Sequence, residues 1–360
     1  MTQRERQILQ WIESDPMISQ AELAQRLGIT RSSVAVHISN LTKKGHIAGK
    51  GYVLRSGTYA VVVGGVNMDI GGTSCAPLIS GDSNPGTVTM SLGGVGRNIA
   101  HNLCLMGTDV HMLTAYGDDL YGQRIAASCL ELGIDISHAL RLSDHRTSTY
   151  LYINDHQGDM ALAVSDMSIC EQITPEYLAA NLSLLQNAQV VICDTNIPAE
   201  SLQWLAENIT VPIFCDPVST IKAEKLRPVL GRLHTLKPNK LEAELLSGVP
   251  IRSEEDLEKA ARVLLDTGLR RVFISLGAEG VFAATHTESR RIPNMPVNLV
   301  NTTGCGDAFM AALVWAYLEG TDLEGTMKAG LAASSIAIET TETIHPGMSE
   351  EKLRERIRLC

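Results

Sequence analysis

Asn301-Thr-Thr-Gly-Cys-Gly-Asp-Ala-Phe309 runs straight into an apolar stretch, Met310 to Leu318, that reads as a buried helix. Gly304, Cys305 and Gly306 stand where that helix begins. Its first N–H groups lack intrahelical partners and the helix dipole is positive there, so small residues at this point can hold a phosphoryl group. Asp307 falls in the first turn, placed to accept a proton from an attacking hydroxyl while the N–H groups stabilise the transferring charge. Taken alone, a glycine-rich turn with an acid in the first helical turn is a common way to start a helix. Its meaning depends on the surrounding chain.

Upstream, Tyr59-Ala-Val-Val-Val-Gly-Gly65 is a short continuous apolar run, the pattern of a strand buried on both faces of a parallel sheet. Similar runs recur at Val190 to Cys193, Ile213 to Cys215, Leu233 to Leu236 and Val272 to Leu276, separated by helical-period segments such as Pro175 to Gln186 and Ser253 to Asp266. Alternating strands and helices predict a layered α/β domain, with its site beyond the carboxyl ends of the strands. Asn67, Asp69, Asp194, Asp216, Asn239 and Gly277 all stand just past an apolar run. Asn67 and Asp69, at i and i+2, share one side of an extended segment and suit two sugar hydroxyls. Leu92-Gly-Gly-Val-Gly-Arg-Asn98 opens another helix with glycines, allowing close backbone approach. Lys237-Pro-Asn239-x-x-Glu242 puts an amide and a carboxylate one turn apart, suited to ordering magnesium-bound water. His145 to Asp166 alternates around a Gln-Gly turn and reads as a β-hairpin. Neither a Walker A sequence nor a complete G-x-G-x-x-G fingerprint is present.

These motifs, in this order, resemble the ribokinase-like (PfkB) family of carbohydrate and nucleoside kinases across residues 58 to about 348. The resemblance implies a layered α/β/α domain over residues 57–360 with a small β-sheet lid from segments near 70–92 and 145–166, strands that often also form a dimer surface. It implies ATP and Mg2+, Asp307 as catalytic base, and Gly304, Cys305 and Gly306 as anion hole. Asn67, Asp69, Gly93, Gly94 and Asn98 match sugar-binding positions, and Asn239 and Glu242 the magnesium-linked motif. Ser275, Gly277 and Gly280 match the nucleotide-binding strand and turn, while Ala329 to Ser335 matches the helix beside adenine. Asn301 replaces the family's frequent Asp, which puts a monovalent-cation site in doubt, and Cys305 replaces Ala or Gly. Ser165 to Pro175, Gly93 to Ala100 and Asp216 to Ser219 look closest to the pseudouridine kinase branch. On that basis the 5′-hydroxyl of a nucleoside is the expected acceptor, with inosine, ribose or fructose as alternatives. Asp166 either contacts the base or caps the segment after the lid.

The amino-terminal segment has a different character. Residues 1 to 55 carry a net charge of +4 and the remainder −14, which suggests two domains with different partners. Ile8, Leu9, Trp11 and Ile12 mark a helix that Asp15-Pro16 stops. Ser19 and Glu22 predict a capping box for a helix from Gln20 to Leu27, and Thr30 caps a third helix bearing Val34, Ile38 and Leu41. Ile47 to Leu54 reads as a hairpin. This order resembles the winged helix-turn-helix family over residues 1–56. The resemblance puts Arg31, Ser32, Ser33 and His37 on the DNA-recognition helix, with Lys43, Lys44 and Lys50 in reach of phosphates. Two alternatives stay open: the basic head packs against the body or a second subunit, or the body serves as a ligand sensor for a transcription regulator.

Composition narrows the setting. Of 360 residues, 44% are hydrophobic and 19% charged, enough apolar material for a sizeable core. Eight cysteines without a C-x-x-C pair or a neighbouring His/Cys cluster read as small core residues of a cytoplasmic protein. No apolar run approaches the roughly twenty residues that span a bilayer, and the charged start MTQRERQILQ is not a secretory signal.

Overall fold

The computed structural model describes residues 2–16, 18–44, 46–47 and 58–359. The chain divides into two compact units, Met1–Thr58 and Tyr59–Cys360.

In the first unit three helices, α1 (Gln3–Ser14), α2 (Gln20–Leu27) and α3 (Arg31–Lys43), close on Ile8, Ile12, Ile18, Leu23, Val34 and Leu41. Gly28 ends α2 in the left-handed region at φ 62°, and the Thr30 side chain accepts the Ser33 N–H at the start of α3. The capping box predicted at Ser19 is half formed: Ser19 accepts the Glu22 N–H, but the Glu22 carboxylate turns to Arg26 at 2.8 Å. A complete box instead starts α1, between Thr2 and Glu5. Glu5 also accepts both hydrogen bonds of the Lys44 ammonium at 2.9 Å. The expected hairpin lies outside the described residues apart from Ile47.

The second unit is built on a nine-stranded sheet. In chain order its strands are β1 (Tyr59–Val63), β4 (Asp109–Leu113), β6 (Ile134–Asp135), β10 (Val190–Asp194), β11 (Ile213–Asp216), β12 (Thr235–Leu236), β13 (Arg271–Ser275), β14 (Val281–Thr285) and β15 (Ser289–Ile292). Across the sheet the order is β15-β14-β13-β12-β11-β10-β1-β4-β6, parallel except at β14 and β15. The continuous apolar runs follow from double burial. Ala60 and Val62 of β1 pack toward the helix Cys305–Leu318, while Val61 and Val63 pack into the opposite layer with Leu202, Leu205 and Leu264. The segment expected as one helix from Pro175 is two, Pro175–Ala180 and Leu182–Asn187. Asn181 breaks it, because its amide donates to the Tyr177 carbonyl at 2.9 Å and its oxygen meets His138 at 2.6 Å.

A second sheet of four strands, in the order β3-β2-β8-β9, is the expected lid. It comprises β2 (Asn67–Ser74), β3 (Gly86–Gly93), β8 (Thr149–Asn154) and β9 (Met160–Asp166), the last two forming the hairpin read from the alternation. Two short strands, β5 (Ala115–Gly117) and β7 (Leu140–Leu142), pair separately.

The exits of β1 and β10 meet at one carboxylate. Asp194, fully buried, accepts the Gly65 and Gly96 N–H groups at 2.9 Å on one oxygen and the Asn196 N–H at 2.8 Å on the other. A Cβ at Gly64 would lie 2.5 Å from that carboxylate, so the Gly64-Gly65 pair leaves it room. Asp194→Ala strands three buried donors, each costing about 1–3 kcal/mol when unpaired. We expect a stability loss of roughly 3 kcal/mol or more, read from the denaturant midpoint of the full chain; an unchanged midpoint contradicts this account.

Candidate active site

The helix Cys305–Leu318 begins at Gly304, whose φ is 80°, and no side chain caps it. Its opening N–H groups therefore remain available to a ligand anion. Glycine is required at 304 twice over, by the left-handed backbone and because a Cβ would lie 2.1 Å from the Thr343 carbonyl. Asn301 organises the approach: its oxygen accepts the Thr303 N–H at 3.0 Å and its amide donates to the Thr341 carbonyl at 3.2 Å.

Asp307 projects from the first turn toward the helix Val95–Leu105, where Asn98 donates to its Oδ2 at 2.8 Å. The LGGVGRN and NTTGCGDAF stretches, about two hundred residues apart, thus meet at a single hydrogen bond. Burial, and then the nearby Asp216 carboxylate, push the Asp307 carboxyl up to about 7, against the pull of Asn98 and Lys237.

Lys237 stands beside this turn. Its ammonium forms a buried ion pair with Asp216 at 3.1 Å and lies 3.5 Å from where a Cβ on Gly306 would be. Burial alone lowers a lysine, but Asp216, with Asp307 and Glu242 in support, more than offsets it and holds Lys237 protonated. The turn after β11 is equally fixed. Asp216 Oδ1 accepts the Val218 N–H at 2.9 Å, while Val218 itself sits at φ 63°, a strained value for a β-branched residue.

Asn239 and Glu242 come together as a helix-capping box on Lys240–Ser247: Asn239 Oδ1 accepts the Glu242 N–H at 2.9 Å, and Glu242 Oε2 accepts the Asn239 N–H at 2.8 Å. One oxygen of Glu242 is left for another partner. Burial raises the Glu242 carboxyl, the Asn239 N–H opposes this, and Asp216 adds to the rise. Three carboxylates, Asp216, Glu242 and Asp307, therefore face a single lysine, an excess of negative charge that suits a divalent cation. Among the described residues no three His, Cys, Asp or Glu converge as direct ligands. This fits Mg2+ held by one or two carboxylates plus water and substrate phosphates.

Asn67 and Asp69 lie on β2 with Asn67 donating to Asp69 Oδ1 at 2.5 Å. A Cβ at Gly93 would fall 2.2 Å from Asp69 Oδ2, and Gly94, at φ 102°, backs onto the Gly65 carbonyl. Both glycines act through backbone geometry.

Two clefts flank the 301–306 loop. One, about 930 Å³, lies under the lid and is lined by Asp69, Arg97, Tyr150, Tyr152, Asn301 and Thr303. The other, about 430 Å³, is lined by Lys237, Asn239, Ser275, Gly277, Gly280 and Ser335, together with Thr302, Cys305 and Gly306. Its deeper wall is apolar, with Phe309, Leu331 and Ile338. Ser335 is braced by Arg356 of the last helix, Glu350–Ile357, at 3.0 Å. The 301–306 loop is thus the partition between the clefts.

Two expected positions fall elsewhere. Ala329 is wholly buried in the core of its helix pair, and Leu331, Ser334 and Ile338 form the wall instead. Asp166 is exposed at the end of β9, where it accepts from the Ser168 N–H and hydroxyl, the capping role. The sequence places Asp216 just past a strand and Lys237 in the K-P-N segment without assigning a role to either. The available signals were a lysine in the K-P-N segment and an acid immediately after a buried strand.

The comparisons with known proteins agree with this geometry. Residues 58–351 match the pfkB family carbohydrate kinase profile, and residues 1–47 match winged helix-turn-helix DNA-binding. The chain belongs to the pfkB carbohydrate kinase family. Its relatives include the uncharacterized sugar kinase YeiI of Escherichia coli (strain K12), 39% identical over 98% of both chains. The pseudouridine kinase of the same organism is 39% identical over 82% of this chain and 95% of its own. A solved Clostridium perfringens structure assigned as a sugar kinase superposes with a TM-score of 0.76 at 32% identity, covering 85% of this chain and 97% of that one. The chain is an ATP-dependent sugar or nucleoside kinase with a ribokinase-like body and an amino-terminal winged helix domain. Among the described residues no helix is long and apolar enough to cross a membrane.

The raised Asp307 carboxyl has a direct consequence for stability. Its folded-state value near 7 exceeds the ordinary 3.8, so ionisation costs the folded state progressively between those values and fully above 7. Asp307→Asn removes that cost. The variant should melt above the wild type at pH 8, with the difference shrinking toward pH 4; a Tm difference independent of pH contradicts the assigned environment.

Proposed function

We propose that this kinase transfers the γ-phosphoryl group of ATP to the 5′-hydroxyl of a nucleoside, with pseudouridine as the acceptor. The observation that carries the reading is the Asn98–Asp307 contact beside the uncapped helix start, with Lys237 next to Gly306. Asn98 holds one oxygen of Asp307, leaving the other to accept the proton of the acceptor hydroxyl. A carboxyl near 7 is matched to that task at neutral pH. The amides at 304–306 and the Lys237 ammonium stabilise charge on the moving phosphoryl group. Asn67 and Asp69 fix the sugar hydroxyls, while Ser275, Gly277 and Gly280 shape the nucleotide cleft. Glu242 and Asn239 would hold Mg2+ through water, and the cation, when bound with ATP, would supply neutralisation of phosphate charge. The likeness to pseudouridine kinase over 95% of that protein supports the acceptor.

The test is a screen of pseudouridine, uridine, inosine, adenosine, ribose and fructose with ATP and Mg2+. Pseudouridine should give the highest kcat/KM; a higher value for ribose or fructose overturns the acceptor and keeps the kinase. Asp307→Asn should lower kcat at least about a hundredfold, the scale of general-base loss, and near-normal turnover would falsify the assigned role.

For the amino-terminal unit we propose DNA binding through α3. Arg31, Ser32, Ser33 and Lys43 are exposed on it, His37 is half-buried, and Lys50 lies outside the described residues. Lys44 departs from the expected phosphate role because Glu5 holds it. We also propose that the chain forms a homodimer through the outer face of the lid sheet. That face exposes Val88 at 71% and Leu162 at 64%, in one register row, and Met90, Leu151 and Val164 in the next. Val88→Asp with Leu162→Asp should shift light-scattering mass from dimer to monomer, and Arg31→Ala with Lys43→Ala should weaken capture of genomic DNA fragments at low salt. An unchanged mass, or unchanged capture, removes the corresponding role.

A further inference from the structure

The cleft beneath the lid is larger than the grip on the acceptor hydroxyls requires, and its roof is aromatic. On β8, Tyr150 and Tyr152 point to the same side as Asp69 of β2, since Asp69 pairs with Tyr150 and Gly71 with Tyr152. Their ring centroids are 5.8 Å apart with planes tilted by 36°. Tyr152 lies across the backbone of β2 at Gly71, where a Cβ would fall 2.5 Å from its ring carbon and hydroxyl. Glycine at 71 therefore lets the ring lie against the sheet, and its other side looks into the cleft. Beneath it, Arg97 and His101 are four residues apart on one side of the helix Val95–Leu105 and line the same cleft. Arg97 is buried, donating to the Leu92 carbonyl and the Ser128 hydroxyl from its two terminal nitrogens, while its Nε has no hydrogen-bond partner. Burial, with Arg97 beside it, pushes His101 down to about 4, so its imidazole is neutral. The floor thus places a neutral imidazole beside the buried Arg97 guanidinium.

We infer that Tyr152, with Tyr150, is a stacking platform for the nucleobase of the acceptor, and that it sets the preference for a nucleoside over a free sugar. The inference rests on the phosphoryl-transfer reading above. With the sugar hydroxyls at Asp69, Tyr152 lies two residues further along the paired strands, about 7 Å away, within the span of a base attached to that sugar. A planar ligand matches this roof, whereas a free pentose leaves the Tyr152 end of the cleft empty. Base stacking on an aromatic side chain is sequence-tolerant, so the platform selects for a base as such.

The test uses the full chain and its variants Tyr152→Leu, Tyr152→Phe and Tyr150→Leu, with pseudouridine, uridine and ribose as acceptors. Removing a ring should lower the ratio of nucleoside to ribose kcat/KM by about tenfold or more, mainly through nucleoside KM, the scale of one lost stack. Tyr152→Phe should restore the ratio, because the ring and not the hydroxyl is the contact. Calorimetric binding of pseudouridine without ATP supplies a readout independent of turnover, and Tyr150→Leu supplies a second ring deletion should Tyr152→Leu fail to fold. An unchanged ratio and affinity in the folded Leu variants overturn the platform while leaving the nucleoside reading intact. Wild-type turnover of ribose but of neither nucleoside overturns both together.

Discussion

The body of this kinase is organised around the Asp194 carboxylate. It sits beyond the end of a central strand and accepts amides from the exit of β1, the start of the Val95 helix and its own following turn. A carboxylate with no access to water and three peptide donors has little freedom to relax, because each donor left unpaired in the core carries a desolvation cost. The glycines at 64 and 96 let the backbone approach it closely. This knot fixes where the helix carrying Asn98 begins, and Asn98 fixes Asp307. The position of Asp307 is therefore inherited from a buried carboxylate on β10.

Around that frame the site keeps an imbalance of charge. Asp216, Glu242 and Asp307 outnumber Lys237, and neighbouring carboxylates raise the cost of ionising Asp307. Binding of a phosphate-bound cation would relieve this repulsion.

The architecture was largely legible in the sequence because both-face burial leaves a plain mark: continuous runs such as Tyr59 to Val63 have no other economical reading. The helix start at Gly304, with Asp307 in its first turn, was legible because glycines and an acid directly before an apolar run mark such a start. Lys237 was obscured because its role depends on Asp216, which lies on another strand, and spacing along one segment cannot show a contact across two. Ala329 misled for the opposite reason: a helix can flank a cavity while the register of a single residue points it into the core. Asn239 and Glu242 carry two meanings at once, since the spacing that suits magnesium-bound water also makes a capping box. Lys44 looked like a phosphate ligand because charge alone does not reveal an acid 39 residues earlier in the chain.

The close approach of Gly304 to the Thr343 carbonyl ties the last part of the body to the start of the Cys305–Leu318 helix. The segment after the Leu323–Ala337 helix backs that helix start, and the Glu350–Ile357 helix braces Ser335 and Glu339 through Arg356. This segment is therefore a buttress for the wall of the cleft that Ser335 lines, so a change in it can shift that wall without touching a lining residue.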